Sequence, residues 1–214
     1  MSVESWGQQV ETEWRMLKAG STALDVEKFY RHAVSAHKVG ALTPESVATI
    51  ANQMLISTLD GAPYLGRKLL EQVSAANHPA TRLALAISLA TGTGGPANPE
   101  VAHGMFQQLI GDEQAGGALK ALAAAALADS FRLGRGVDQD IDFAKSHYDL
   151  AIGLGHIHSA LALGLYWEGK WGVAATGDEL PDIARAIHFY KRGRDACERC
   201  AARLATLESA STAA

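Results

Sequence analysis

The sequence has few cysteines, few aromatic residues and no excess of basic residues. Only 2 of its 214 residues are cysteine and 7% are aromatic, which is not the composition of a small secreted domain held together by disulfides. The 19 lysines and arginines are outnumbered by 23 acidic residues, for a formal net charge of −4. Proteins that bind the phosphate backbone usually carry a stripe of basic residues. The composition therefore predicts no nucleic-acid partner.

Long apolar segments are also missing from the sequence. The amino-terminal stretch, residues 1–14, has no apolar core of the signal-peptide kind, and the longest apolar run, residues 121–128, is much shorter than a membrane span. We therefore expect no membrane insertion and a cytoplasmic location. Hydrophobic residues make up 48% of the chain, and this fraction excludes a mostly disordered protein.

Alanine is abundant, and glycines recur at regular intervals. Alanine has the highest helix propensity and a very small side chain, so its abundance predicts closely packed helices. Glycine-containing stretches recur at residues 91–95, 133–137 and 168–173. A glycine just beyond a helix adopts the left-handed conformation without strain. We therefore predict that the chain reverses between two helices at each of these stretches.

A second pattern follows each predicted turn. Asn98, Asp140 and Asp182 each precede an alanine by four residues, and an aromatic residue follows that alanine after four more. Asn and Asp are favoured helix N-caps. Residues four apart share one face of a helix, where the small alanine allows a neighbouring helix to approach beside the ring. The pattern predicts a second helix in each repeat, with the pairs Ala102 and Phe106, Ala144 and Tyr148, and Ala186 and Tyr190 at its buried positions.

These residues resemble the Sel1-like repeats, a family related to the tetratricopeptide repeats. The best-matching unit, residues 123–157, carries the family's turn, cap, small, aromatic and closing residues, which are Gly134, Gly136, Asp140, Ala144, Tyr148 and Gly155. Equivalent structural residues in the flanking units are Gly92, Gly169, Asp182, Ala186 and Tyr190. The resemblance implies an all-α fold, a right-handed α-α superhelix (solenoid) of about five antiparallel helix pairs.

The repeat spacing divides the chain into six segments. We expect an N-terminal helix pair at 1–40, a degenerate repeat at 41–78, Sel1-like repeats at 79–116, 117–157 and 158–197, and a capping helix with a frayed tail at 198–214. The terminal helix should run from about Arg199 to Ser209. Because an open solenoid exposes apolar surface at its ends unless they are capped, we expect either a monomer or an end-to-end dimer.

The resemblance implies a non-catalytic scaffold or adaptor that binds a peptide or partner protein on a concave face lined by the first helices. A narrower version is a bacterial regulator, or a chaperone or immunity-type protein that masks a secreted effector. Trp and Arg are common interface anchors, and the predicted partner-binding residues are Arg82, Arg132, His158, Trp167 and Trp171. The alternative for the two tryptophans is that they pack under the loop at 172–181.

The sequence also leaves an enzymatic alternative open. Cys197 and Cys200 form a CxxC pair, a pattern found in redox sites whose thiol pKa is lowered at a helix N-terminus and in metal sites with further ligands. Candidate partners for them are His147, His156, His158 and His188. The simpler interpretation is that Cys197 replaces a turn glycine and Cys200 packs in the terminal helix. No hydrolase, metalloprotease or phosphate-loop motif is present, so we expect no catalytic residue, metal or cofactor.

Overall fold

The computed structural model describes residues 3–20, 25–74, 78–171 and 181–212. Within these ranges the regular secondary structure is entirely helical. The helices are α1 (Val3–Lys18), α2 (Val26–Lys38), α3 (Pro44–Leu55), α4 (Ala62–Ser74), α5 (Pro79–Thr91), α6 (Pro99–Gly111), α7 (Gly117–Leu133), α8 (Ile141–Gly153), α9 (Ser159–Trp167), α10 (Ile183–Gly193) and α11 (Glu198–Thr212). None of the helices in the described ranges has both the length and the apolar character needed to cross a bilayer. The expected all-α fold class is confirmed.

Consecutive helices pack against each other in pairs. In the described part of the chain, α1 packs on α2, α3 on α4, α5 on α6, α7 on α8 and α9 on α10, and α11 then packs on α10. Neighbouring helices joined by short connections run antiparallel. The helices divide between two compact units, residues 1–114 with α1 to α6 and residues 115–214 with α7 to α11.

The second helices begin at side-chain caps and bury their small residues. Asn98, Asp140 and Asp182 each accept a hydrogen bond from the backbone N–H three residues later, which satisfies one of the free donors of the first helical turn. The alanines and aromatic rings that follow lie in the interior, and these are Ala102, Phe106, Ala144, Tyr148, Ala186 and Tyr190. The small and aromatic pair therefore lies on the buried face of each second helix.

The turn after α5 shows why glycine is needed between paired helices. Gly92 ends α5 in the left-handed conformation with φ +74°. Gly94 also has a positive φ, +79°, and a Cβ at this position would collide with the carbonyl oxygen of Pro63 on α4. Arg67 of α4 fixes the same turn, because its Nη1 donates to the carbonyl of Pro96 over 2.7 Å. In the second unit Gly134, Gly136, Gly155 and Gly169 also have positive φ.

The terminal helix is longer than the sequence suggested. We expected it to end near Ser209, followed by a frayed tail, but α11 continues to Thr212. Side chains near its end bond back to the helix: Thr206 Oγ1 donates to the carbonyl of Ala202, and Ser209 Oγ donates to that of Thr206. The high helix propensity of alanine, which recurs along α11, favours this extension. Residues 213–214 lie outside the described ranges.

Candidate functional site

A row of aromatic rings and cationic side chains crosses the second unit near the turns that join its paired helices. It contains the end of α7, the first half of α8, the end of α9 and the first turn of α10. We call it the aromatic–cation surface, and define it as Arg132, Lys145, Tyr166, Trp167, Trp171 and Arg185. Sequence analysis had nominated three of these residues for partner binding, Arg132, Trp167 and Trp171.

One end of the surface is built around Trp171, which lies beyond the end of α9. Its indole N–H donates to the carbonyl oxygen of Ala162 over 2.6 Å. The rings of Tyr166 and Tyr148 meet the indole edge-on, with centroids 4.9 and 5.7 Å away. The Arg132 guanidinium lies 5.7 Å from the centre of the indole ring, within the range of a cation–π interaction.

A hydrogen-bonded network on α7 and α8 supports this end of the surface. The Tyr148 hydroxyl donates to Asp129 over 2.6 Å. Arg132 donates through Nε to the Tyr148 oxygen over 3.0 Å and through Nη2 to Asp129 over 2.7 Å. Burial, followed by the negative charge of Asp129, raises the pKa of Tyr148 far above its ordinary value. The phenol therefore stays protonated and remains a donor, which fixes the positions of all three side chains.

The other end of the surface is built around Trp167, the last residue of α9. The Arg185 guanidinium lies 4.4 Å from the centre of its ring and the Lys145 ammonium 5.6 Å away. Lys145 also lies over Tyr166, at 4.9 Å. The remaining alternative from the sequence, in which both tryptophans pack under a loop, concerns residues 172–180, which lie outside the described ranges.

The structure places two of the predicted binding residues elsewhere. Arg82, on α5 of the first unit, is buried, and its Nη1 donates to Asp112 over 2.8 Å. This pair ties α5 to the chain that follows α6, so we leave Arg82 out of the proposed surface. His158 is exposed before α9, with its ring 5.9 Å from that of His156, and no contact in the described chain joins it to the aromatic–cation surface.

Sequence reasoning missed three members of the surface, Lys145, Tyr166 and Arg185. Each lies within a helix turn of a residue that the repeat pattern had already assigned: Lys145 follows Ala144, and Arg185 precedes Ala186. A signal was available, because Lys145 and Arg185 are cationic residues beside predicted buried alanines and Tyr166 is an aromatic residue three positions before the turn glycine Gly169. The spacing alone did not show that they converge on the two tryptophans.

His156 should make the stability of the second unit sensitive to acid. Burial, and then the nearby His158, lower the pKa of His156 below its ordinary value of 6.5, partly opposed by Asp129. Because the folded-state pKa lies below the unfolded-state value, the unfolded chain binds the proton first as the pH falls. We expect the free energy of unfolding to decrease as the pH falls through 6.5 until folded His156 itself titrates.

This pH dependence can be measured by urea unfolding at about pH 7.5 and about pH 5.5. The decrease in the free energy of unfolding between these two pH values should be smaller in His156→Asn than in the wild-type chain. Substitution of His188, which is exposed on α10, controls for the loss of a histidine in general. An unchanged pH dependence in His156→Asn would contradict the prediction.

The two cysteines belong to the packed end of the second unit. Both are free and buried, and they share a core cluster with Ala186, Tyr190 and Leu204. Burial, then its neighbour Cys197, raises the pKa of Cys200 to about 12, so this thiol is protonated near neutral pH and is a poor nucleophile. In the described ranges no group of three or more His, Cys, Asp or Glu side chains could hold a metal ion. These observations do not favour the thiol- or metal-dependent alternative.

Comparison with known proteins identifies the fold. The sequence matches no family model and no curated protein. Its structure is similar to solved α-solenoids built from helix pairs. One is a Sel1 repeat protein from Oxalobacter formigenes, which is 18% identical with a TM-score of 0.60, over 91% of this chain and 75% of that one. At this identity the likeness shows the fold, so the expected Sel1-like repeat solenoid is confirmed.

A second solved structure supports the same fold. It is c5321, described as a protective antigen present in uropathogenic Escherichia coli strains and displaying an SLR fold. The two chains are 15% identical with a TM-score of 0.55, and the match covers 88% of this chain. This chain spans only 38% of the length of that antigen.

Proposed function

We propose that this chain is a non-catalytic scaffold that binds a peptide or a partner protein through its aromatic–cation surface. The observation that carries the proposal is the convergence of Trp167, Trp171 and Tyr166 with three cationic side chains on one side of the second unit. Tryptophan, tyrosine and arginine dominate the binding energy of protein interfaces, because they bury a large area and offer a polar group at low entropic cost.

The charges of the surface indicate what kind of partner it fits. Each cation is matched by a carboxylate close in sequence, in the pairs Arg132 with Asp129, Lys145 with Asp142 and Arg185 with Asp182, at 2.7, 2.8 and 3.2 Å. A phosphate backbone would meet these three carboxylates as well as the cations. A polypeptide segment with aromatic and polar side chains is the better match, since it can use both the ring faces and the alternating charges.

A narrower form of the proposal places this scaffold in the bacterial cytoplasm as a regulator, or as a chaperone or immunity-type protein that covers a secreted effector. Both solved relatives are described as bacterial proteins, which supports a bacterial setting. Co-expression with a candidate effector tests this form, because a covered effector should co-purify with the wild-type chain and be lost when the aromatic–cation surface is altered.

Selection from a random peptide library displayed on phage tests the general proposal. Peptides that the wild-type chain enriches should bind Trp167→Ala and Arg185→Ala at least about tenfold more weakly, a loss of about 1.4 kcal/mol per substitution. The affinities can be measured by fluorescence polarisation with synthetic copies of the selected peptides.

The chain offers a matched control for this experiment. Tyr64 on α4 of the first unit also carries a cation, because the Lys68 ammonium lies 5.4 Å from the centre of its ring. Tyr64→Ala removes an exposed aromatic–cation pair from another surface, and it should leave the affinity unchanged. The proposal is wrong if no peptide is enriched, or if Tyr64→Ala lowers the affinity as much as Trp167→Ala does.

A further inference from the structure

We propose that the position occupied by Trp171 is a receptor for a tryptophan side chain of the partner, and that Trp171 fills it in the free chain as an internal competitor. The inference rests on the proposed function and adds the chemistry of the partner and a form of regulation. We call the receptor the indole slot, and define it as Arg132, Tyr148, Tyr166 and the carbonyl oxygen of Ala162.

The walls of the indole slot are held in place by contacts that do not involve Trp171. Arg132 and Tyr148 are fixed to each other and to Asp129 by three hydrogen bonds, one within α7 and two between α7 and α8. Tyr166 accepts a hydrogen bond from the Lys145 ammonium over 3.4 Å and packs edge-on against Trp167 at 5.0 Å. The slot is therefore preorganised, and a ligand that replaced Trp171 would find its contacts already assembled.

Trp171 itself is attached by the chain rather than built into a helix. α9 ends at Trp167, and Gly169 then turns the chain with φ +74°. Up to Trp171, the last residue described before position 181, the final backbone bond of this turn is from Lys170 N to the carbonyl of Leu165, over 2.8 Å. Because Trp171 lies outside the helices, moving its indole out of the slot breaks the bond to Ala162 but no helical hydrogen bond.

The slot selects an indole over other side chains. Two tyrosine rings meet the occupant edge-on, as aromatic pairs prefer, and the Arg132 guanidinium lies over its face, where tryptophan gives the strongest cation–π interaction of the aromatic residues. The Ala162 carbonyl accepts the indole N–H. A phenylalanine has no N–H to donate to this carbonyl, so the occupant that matches all four contacts is a tryptophan in an exposed segment of the partner.

Trp171 competes with a partner tryptophan because the backbone holds it next to the indole slot. A group held next to its site by a short chain has an effective concentration of about millimolar or more. A partner tryptophan must therefore displace Trp171, and the free chain binds more weakly than the slot alone would. Removing Trp171 should expose the full affinity of the slot.

The test uses N-acetyltryptophanamide as the probe and isothermal titration calorimetry as the measurement. Trp171→Ala should bind the probe saturably with one site, at least about tenfold more tightly than the wild-type chain. The same gain should be absent in Trp167→Ala, which removes a neighbouring indole but leaves Trp171 in place. Adding Arg132→Ala to Trp171→Ala should weaken binding, because the cation over the indole face is lost.

Circular dichroism shows whether each variant is folded. Should Trp171→Ala unfold, Trp171→Leu partly fills the slot without an indole N–H, and it should show the same gain to a smaller degree. A folded Trp171→Ala or Trp171→Leu that binds the probe no better than the wild-type chain overturns the inference.

The selected peptides separate this inference from the proposed function. Trp171→Ala should tighten the binding of tryptophan-containing peptides. If it weakens them while Trp167→Ala also weakens them, Trp171 is itself a partner contact, so the inference fails and the scaffold proposal stands. If neither Trp167→Ala nor Arg185→Ala changes the affinity, the proposed function fails first.

Discussion

Gly164→Ala is expected to destabilise the chain by about 2 to 4 kcal/mol. Gly164 lies inside α9, and a Cβ there would collide with the ring of Tyr190 on α10, 2.6 Å from Cδ1, 2.8 Å from Cζ and closer still to Cε1. Tyr190 is fully buried, and its hydroxyl donates to Glu168 over 2.8 Å. The ring therefore cannot move aside without giving up this bond, so α9 and α10 must separate.

Gly104 is a matched control, because we expect its substitution by alanine to change the stability in the opposite direction. Gly104 lies inside α6, and a Cβ added there would have no atom within 4 Å. Gly104→Ala should therefore stabilise the chain by up to about 1 kcal/mol, the difference in helix propensity. The same propensity gain is present in Gly164→Ala and is already subtracted from the expected loss. Urea unfolding of both variants should give changes of opposite sign.

A double-mutant cycle assigns the effect to the ring. Replacing Tyr190 by alanine removes the atoms that meet the new methyl group, so Gly164→Ala should cost much less in Tyr190→Ala than in the wild-type chain. A loss below about 0.5 kcal/mol for Gly164→Ala alone would show that α9 and α10 do not approach each other as closely as described.

Glu168→Ala is the second substitution with a large expected effect, a loss of about 2 to 3 kcal/mol. The Glu168 side chain, only 5% exposed, accepts hydrogen bonds from Tyr190 and Arg203 and pairs with the Lys170 ammonium at 2.7 Å. Breaking a buried ion pair costs about 3 to 5 kcal/mol, but Arg203 and Lys170 are 29% and 48% exposed and water can solvate them again. The Tyr190 hydroxyl, which is buried, loses its acceptor.

The loss of stability in Glu168→Ala should be concentrated in α11. Arg203 joins α11 to the end of α9 through Glu168, so Glu168→Ala should raise amide hydrogen exchange in α11 more than in α7 and α8. Glu168→Gln keeps an acceptor for Tyr190 and should lose less stability than Glu168→Ala. Asp149→Ala is the control: its pair with Arg192, at 3.6 Å, has side chains 65% and 39% exposed, and such surface pairs contribute about 0 to 1 kcal/mol. Equal losses in Glu168→Ala and Asp149→Ala would contradict the prediction.

Much of the fold followed from local signals in the sequence. A glycine such as Gly134 ends a helix because only glycine takes a left-handed conformation without strain, and a cap such as Asp140 starts one because its carboxylate accepts a free backbone N–H. Both effects act within a few residues, so spacing alone predicts them. The structure places Gly134 at the end of α7 and Asp140 before α8.

The candidate site was only partly predictable. Residue type nominated Arg132, Trp167 and Trp171, because Trp and Arg are frequent interface anchors. The same reasoning nominated Arg82, which forms a buried ion pair with Asp112, since nothing in the sequence marks Asp112 as its partner. A guanidinium used for packing and one available for binding have identical local sequence signals.

The sequence by itself determined the class of this protein, an all-α chain of paired helices, because caps, turns and small residues repeat along it and each acts locally. Only the tertiary structure decided what lies between the helices. It placed the ring of Tyr190 against Gly164, joined Glu168 to Arg203, and brought Trp171 back over α9 to Arg132. These contacts join residues 26 to 39 positions apart in the sequence. They depend on how the helices pack in space, which no local spacing records.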